Sequence, residues 1–466
     1  MKICKFLAAI CIALSCVNIS LAKAKEQVVV ISSVAELAEA AKGSKGNIKM
    51  EPGVYQISDY LTSEVIENAR AADALGRKAM LLFSGDKNIF DLTGVVLEID
   101  TRLLAAFKAS INEIQITGSG NLIKGLTVND IGNYPPTGKG ARSFVVTGDN
   151  NTIDGVTLNM NGSSPFGYGD LLGKGDAHVT SLKKHSGMLI EGRAVSILNC
   201  SIYSQSFGHL FFVQGGRDVY FENCYAEAQV RATDDMLAER EGVAFDNDFR
   251  AVYSNSDNQK VITGGYVKSL SECGFRNYGS GGPDKNRTGK ITIVNCRAKN
   301  TRIGFAFTRM ADDIEIVGCE AQGCEVGYSL AGVKVSQSRG DAEYGPLFYI
   351  LKSGVASEVE LALMSAQSTS TVHSIAHIAG DGHSVWLSEY GGERRESALP
   401  IVIGQSNPSA NNGYTPTREV PASGVSLVND TQMPVVLNQT TSSCSVASLG
   451  EVRDLGLRNK VASTSK

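Results

Sequence analysis

The chain has 466 residues, with 44 Lys and Arg against 48 Asp and Glu, so its formal net charge is −4. This slightly acidic balance argues against a nucleic-acid-binding protein, which carries a basic face. Seven cysteines follow residue 24, and an odd number argues against a complete disulfide framework. They are not arranged as C-x-x-C pairs, so a structural zinc site is not indicated.

The first 24 residues are predicted to be a signal peptide. Lys2 and Lys5 form a basic start, an apolar run follows, and Ala22-Lys23-Ala24 matches an A-x-A cleavage site. We therefore expect an exported protein, periplasmic or extracellular. Ala13-Leu14-Ser15 precedes Cys16, which makes lipid anchoring at Cys16 an alternative. The apolar run is short for a bilayer, so no integral membrane span is predicted.

Residues 28–60 predict a strand, a short helix and further strands. Ser33 is the expected N-cap of an amphipathic helix over Val34–Ala41, and Pro52-Gly53 marks a turn. The strand, the helix and the pattern I-x-M-x-P-G-x-Y together resemble the opening of right-handed parallel β-helix proteins, notably polysaccharide lyases and related carbohydrate enzymes. A stack of coils exposes an apolar end, which such a helix covers.

An internal repeat supports this resemblance. Related segments are KGLTVNDI at Lys124, DGVTLNMN at Asp154, LNCSIYSQ at Leu198, ENCYAEAQ at Glu222, VNCRAKNT at Val294 and VGCEAQGC at Val317. Their equivalent Gly or Asn positions are 30, 44, 24, 72 and 23 residues apart, and GGYVKSLS at Gly264 divides the longest interval. The resemblance implies coils of about two dozen residues, so longer intervals indicate inserted loops. Cysteines recur after the Gly or Asn, and we expect them to stack in the interior.

The predicted fold is all-β, a right-handed parallel β-helix with an N-terminal capping helix and inserted loops. We assign the β-helix to residues 25–332, C-terminal β coils or a small β region to 333–457, and a polar tail to 458–466. The longest insertions, 159–185 and 229–260, are expected on one binding face.

One candidate chemistry is β-elimination on a uronate-containing glycan. This reaction needs cations near the substrate carboxylate and a side chain that moves protons. The catalytic candidates are Lys183, His185, His209, Arg231, Arg276 and Tyr278. The substrate-binding candidates are Tyr168, Lys174, Lys184, Gln214, Arg250, Lys268, Arg302 and Arg309. No motif carries the lyases' catalytic Lys and Arg onto particular positions, so these candidates rest on clustering.

A second chemistry is glycoside hydrolysis, which needs two carboxyl groups at a set separation. The candidates are Asp234, Asp235 and Glu239. Asp246 and Asp248 offer hard oxygen ligands suited to Ca²⁺, and no other cofactor is indicated. A third alternative is a glycan-binding β-helix without catalysis. We favour a lyase whose partner is an anionic polysaccharide; the sequence does not specify the oligomeric state.

Overall fold

The computed structural model describes residues 27–73, 75–137, 140–169, 182–246, 264–282, 285–307, 313–365, 373–392, 397–406 and 418–463. The predicted signal peptide, with Cys16, lies outside these residues. Among the described residues, no helix has the length and apolar character needed to cross a membrane.

Two long parallel sheets contain most of the described strands, which are numbered here in chain order. The larger sheet has 23 described strands: β1 Val28–Ile31, β2 Asn47–Met50, β3 Gly53–Gln56, β5 Ile89–Asp91, β6 Val95–Asp100, β8 Leu122–Lys124, β9 Thr127–Ile131, β11 Thr152–Asp154, β12 Thr157–Met160, β14 Ser196–Leu198, β15 Ser201–Ser204, β17 Arg217–Glu222, β18 Tyr225–Ala228, β24 Gly289–Val294, β25 Arg297–Lys299, β27 Ile314–Val317, β28 Glu320–Gln322, β30 Val333–Gly340, β32 Glu358–Leu363, β35 Ser384–Glu389, β40 Ser426–Asn429, β43 Ser445–Ser448 and β45 Lys460–Ser463.

The second sheet has 13 described strands: β4 Lys78–Phe83, β7 Ile111–Ile116, β10 Gly140–Val146, β13 Lys184–Ile190, β16 Phe211–Gln214, β21 Cys273–Tyr278, β26 Ile303–Phe307, β29 Val326–Leu330, β31 Phe348–Ile350, β33 Ala376–Ile378, β36 Ile401–Ile403, β41 Val435–Leu437 and β44 Val452–Asp454.

Smaller elements decorate these sheets. A three-stranded parallel sheet holds β34 Gly380–Asp381, β39 Ala422–Ser423 and β42 Thr441–Ser442. Antiparallel pairs are β19 Val230–Ala232 with β20 Val267–Ser269, β22 Ser280–Gly281 with β23 Asn286–Arg287, and β37 Gln405–Ser406 with β38 Arg418–Glu419. The helices are α1 Val34–Ala40, α2 Ser63–Asn68, α3 Arg102–Ala106, α4 Thr233–Ala238 and α5 Val243–Asp246, with 3₁₀ turns at Ile57–Asp59 and Tyr390–Gly392.

The chain winds through the two sheets coil by coil. From β4 to β28, each coil adds one strand to the second sheet and then two to the larger sheet, as β7 is followed by β8 and β9. Each strand pairs in parallel with its equivalents in the neighbouring coils, as β10 pairs with both β7 and β13. Parallel pairing between successive coils confirms the predicted parallel β-helix.

The N-terminal cap also follows the prediction. The Ser33 hydroxyl accepts a hydrogen bond from the Glu36 amide at 3.2 Å, which satisfies a free donor at the start of α1. Val34, Leu37 and Ala38 are buried on the inner face of the helix. The apolar end of the first coil is therefore covered.

The repeated Gly and Asn positions are turns with left-handed backbone. The φ angles are 77° at Gly125, 68° at Gly155, 52° at Asn199, 53° at Asn223, 52° at Asn295 and 65° at Gly318. Glycine tolerates this region because it has no Cβ to approach the following carbonyl oxygen, and asparagine because its short polar side chain can hydrogen-bond locally. The Asn side chains also join successive turns, since Asn223 Nδ2 donates to Asn199 Oδ1 at 3.3 Å.

The interior contains stacked equivalents from successive coils. The rings of Phe211, Phe275, Phe305 and Tyr328 stack with centroid separations of 4.9, 5.1 and 5.0 Å. The cysteines that follow the turns, Cys200, Cys224, Cys296 and Cys319, are buried and free, which confirms the predicted interior stack.

One expectation about the repeat was wrong. The GGYVKSLS segment does not begin another coil, because β20 forms an antiparallel pair with β19. β17 and β18 instead pair directly with β24 and β25. The 72-residue interval is therefore one coil with a long insertion. Gly265, with φ of 79°, has the same left-handed backbone as the turns of the repeat. The strand that follows it, β20, however runs antiparallel to β19.

The strands after residue 332 continue the same two sheets. β30 pairs with β32, β32 with β35, and β35 with β40, all in parallel. The final strand, β45, pairs with β43 within the stretch that we predicted to be a polar tail.

The left-handed turns lead to a test with a matched pair of variants. Asn223→Gly and Asn223→Ala both remove the hydrogen bond to Asn199, but only Ala retains a Cβ at φ of 53°. We expect Asn223→Ala to be less stable than Asn223→Gly by about 1 kcal/mol, measured by urea unfolding. Equal stabilities would contradict this account of the turn.

Candidate active site

Six polar side chains meet on neighbouring strands of the second sheet. This charged cluster consists of Lys184, His209, Glu272, Arg276, Tyr278 and Arg302. Lys184 begins β13, His209 precedes β16, Glu272 and Arg302 directly precede β21 and β26, and Arg276 and Tyr278 lie within β21. Parallel pairing brings these positions together although they are up to 118 residues apart in the chain.

Glu272 is the centre of the charged cluster. Its side chain is fully buried, and its carboxylate lies 2.9 Å from Lys184 Nζ and 3.5 Å from Arg302 Nη2. His209 Nε2 lies 3.2 Å from the same carboxylate. The three cationic side chains around this single carboxylate are Lys184, Arg302 and Arg276, so the cluster carries excess positive charge. Such a site suits an anionic ligand.

His209 is held in one tautomer by its neighbours. Its Nδ1 accepts the backbone N–H of Cys273 at 3.3 Å, so the proton of the neutral ring lies on Nε2. That proton is available to Glu272 and to the Tyr278 hydroxyl, which lies 2.8 Å from Nε2. Burial lowers the pKa of His209 well below its usual value, so the ring is neutral at neutral pH.

Tyr278 is the proton-carrying group at the edge of the cluster. Burial raises its pKa, which Arg276 partly opposes from 4.3 Å above the ring. The hydroxyl is therefore protonated at neutral pH. Because the oxygen can accept the His209 proton, the Tyr278 proton is free to point toward a ligand.

An apolar floor lies beside Tyr278. Val145, Leu189 and Phe212 form a small buried group against which Tyr278 packs. Gln214, a predicted substrate-binding residue, is the register partner of Tyr278 in the adjacent strand. The floor fixes the ring, so the position of the hydroxyl is set by packing as well as by hydrogen bonding.

Four other predicted residues take part in two sets of polar contacts. Lys268 is buried and its Nζ pairs with the Glu325 carboxylate, which also accepts the Ser269 amide at 2.6 Å. In the inserted loops, Arg231 pairs with Glu239, and the Tyr168 hydroxyl donates to Glu239. The first set joins β20 to the residue that precedes β29, and the second joins the two inserted loops to each other.

The remaining predicted carboxylates do not converge. Asp234 and Asp235 are exposed on α4, and Asp234 accepts the Gly265 amide at 2.9 Å. Asp246, at the end of α5, is also exposed.

Lys183 pairs through its backbone with Ser164. Lys174, Arg250, Arg309 and Asp248 lie outside the described residues.

His185 is fully buried and apart from the charged cluster, although it adjoins Lys184 in sequence. It contacts Glu113, Asp130 and Ser143 between the two sheets.

Sequence reasoning missed Glu272. Its position one residue before a Cys-bearing strand that carries Arg276 and Tyr278 was an available signal. However, a single Glu among many charged residues reveals its role only when its three cationic neighbours are known. Glu113 and Asp130 were missed because they lie in ordinary strand sequences far from the predicted insertions.

The central position of Glu272 generates a stability prediction. Glu272→Gln leaves Lys184 and Arg302 without their buried counter-charge, and we expect a loss of about 3 kcal/mol in unfolding free energy. Asp235→Asn, on exposed α4, is the control and should change stability by less than about 0.5 kcal/mol. Chemical denaturation of both variants measures the difference; similar values would remove Glu272 from its central role.

Comparison with known proteins gives only distant structural similarities. No protein-family model matches the chain, and no curated protein matches it in sequence. The A-module of a mannuronan C-5 epimerase from Azotobacter vinelandii is 11% identical, with 92% of this chain and 94% of that chain covered at a TM-score of 0.38.

Two further solved structures show the same level of similarity. A PL6 alginate lyase in complex with a trisaccharide is 11% identical, with 91% and 86% covered and a TM-score of 0.43. An endo-xylogalacturonan hydrolase from Aspergillus tubingensis is 9% identical, with 92% and 95% covered and a TM-score of 0.30. The chain is thus similar to parallel β-helix carbohydrate-active enzymes, while its fold assignment rests on its own parallel pairings.

Proposed function

We propose that this chain is a polysaccharide-active enzyme and that the charged cluster carries out β-elimination on a uronate-containing glycan. The observation that carries the proposal is a protonated Tyr278 hydroxyl, hydrogen-bonded to a neutral His209 and flanked by Arg276. A proton donor beside excess positive charge matches a substrate that is an anion and expels an oxygen leaving group.

Each residue of the charged cluster has its own role in the proposed elimination. Arg276, half-buried at the edge of the cluster, and Lys184 neutralise the uronate carboxylate, which makes the adjacent C–H more acidic. Tyr278 donates its phenolic proton to the departing glycosidic oxygen. The same phenolic oxygen takes up the proton from the carbon beside the carboxylate, so the hydroxyl is restored as the C–O bond breaks and the C=C bond forms. His209 is a positioning residue, because it donates to the Tyr278 oxygen and keeps the phenolic proton directed outward. Glu272 holds Lys184 and Arg302 in place.

Hydrolysis by the acidic candidates has weaker support. A glycosidase needs two carboxyl groups facing each other across the scissile bond. Here Asp234 and Asp235 are exposed, and Glu239 is engaged by Arg231 and Tyr168.

Export directed by the first 24 residues, as the sequence predicts, would bring the enzyme to glycans outside the cytoplasm.

The reaction class is tested by incubating the purified chain with alginate, pectate, glycosaminoglycans and neutral glycans, with calcium and with a chelator. We expect the ultraviolet absorbance of an unsaturated uronate to rise with one of the anionic glycans, because elimination creates a conjugated double bond. New reducing ends without that absorbance would instead show hydrolysis. No product from any glycan would overturn the proposal in favour of binding.

The role of Tyr278 is tested by Tyr278→Phe, which removes the donated proton and keeps the ring on its apolar floor. We expect kcat to fall by about 100-fold or more, the size of a general-acid contribution. Tyr225→Phe is the matched control, since its hydroxyl donates to Glu227 at 2.8 Å on the larger sheet. The assignment fails if both variants retain wild-type kcat on the substrate found above.

A further inference from the structure

Three ionisable side chains from three strands meet in the interior, away from the charged cluster. We name Glu113, Asp130 and His185 the buried triad; they lie in β7, β9 and β13. One ligand atom from each lies within 4.8 Å of the others, and all three side chains are buried. His185 Nε2 is 3.4 Å from Glu113 Oε1, and its Nδ1 is 3.5 Å from Asp130 Oδ2.

The orientation of His185 leaves one ring nitrogen available. Its Nδ1 contacts the Asn161 carbonyl oxygen, which can only accept, so Nδ1 carries the proton of the neutral ring. Nε2 then has a lone pair, 3.0 Å from Ser143 Oγ and facing Glu113. Metal-binding histidines commonly donate their second N–H to a backbone carbonyl in this manner.

Three of the four carboxylate oxygens in the buried triad lack a hydrogen bond of normal geometry. These are both oxygens of Glu113, which lies beside His185, Ser143 and Asp130, and Oδ1 of Asp130. Asp130 Oδ2 is held in place by the Asn161 amide at 2.8 Å. Two adjacent buried carboxylates with so few donors would be stabilised as anions by a positive charge between them.

We propose that the buried triad binds one divalent first-row transition ion, with zinc as the best fit. His185 Nε2, the Glu113 carboxylate and Asp130 Oδ1 supply the ligands, and Ser143 Oγ lies beside them. One imidazole nitrogen with carboxylate oxygens suits zinc better than calcium, which prefers oxygen ligands alone. A groove of about 240 Å³ is lined by Asp130, Asn159, Asn161 and Tyr203 among others, so one member of the triad borders it.

The expected role of the ion is structural. It would join the coil of β7 and β9 to the coil of β13, across the intervening coil that carries Ser143. An ion that binds the folded chain and not the unfolded chain raises the unfolding temperature. The inference does not depend on the proposed lyase activity, since its readouts are metal content and stability.

The test uses the full chain, freed of metal by a chelator and then titrated separately with Zn²⁺, Co²⁺, Mn²⁺ and Ca²⁺. We expect one Zn²⁺ per chain by calorimetry and elemental analysis, and a higher unfolding temperature with zinc. Co²⁺ should give visible absorption bands from a nitrogen and oxygen ligand set in the wild-type chain. This spectrum does not rely on any variant folding.

Variants locate the site. Glu113→Gln and His185→Gln should lose both the bound zinc and the rise in unfolding temperature. Asp341→Asn is the matched control, because Asp341 is a buried carboxylate elsewhere, bonded to the Gly323 amide at 2.9 Å, and should keep both. Absence of zinc and Co²⁺ binding in the wild type, binding of calcium alone, or undiminished zinc binding in both triad variants would each overturn the proposal. A wild-type chain that binds no ion and is stabilised by Glu113→Gln would show that a shared proton holds the triad instead.

Discussion

In-register parallel pairing between successive coils is the constraint on which the rest of this structure depends. It places each side chain beside its equivalent in the next coil, so side chains of the same type stack along the β-helix. The aromatic stack that includes Phe275 and Phe305, and the cysteine stack after the turns, are direct results. Each coil buries its apolar face only against its neighbours, so turn geometry must repeat as faithfully as composition. The left-handed Asn and Gly turns meet that requirement.

The same pairing concentrates charge on the second sheet. Positions at the start of β13, β21 and β26 become neighbours, and Lys184, Glu272 and Arg302 form a network there. Such a network is tolerable because the buried carboxylate has cationic partners on more than one side. The excess positive charge and the oriented Tyr278 hydroxyl are then available to a ligand. Chemistry on this protein therefore depends on strand register, since a shift by one residue would turn these side chains to the other face.

The adjacent residues Lys184 and His185 lie in different surroundings. Lys184 is partly exposed and belongs to the charged cluster, whereas His185 is fully buried among Glu113 and Asp130. Alternation along β13 sends the two neighbouring side chains into different surroundings. The first environment suits a soluble anionic substrate, and the second suits a desolvated cation. The end of the insertion at residues 159–185 thus contributes to two separate clusters of side chains.

The sequence by itself determined the class of fold. Repeated turns at Asn199, Asn223 and Asn295 and the cap at Ser33 are local features, and local chemistry is readable without a structure. The same reading brought His209, Arg276 and Tyr278 into one candidate set, because all three lie in one dense stretch. Only the tertiary structure decided that the segment after Gly264 forms a hairpin strand and not a new coil, that Glu272 links Lys184 to Arg302, and that His185 lies inside. These facts depend on which strands pair and on which side of a strand a residue lies, and both are set by contacts between coils.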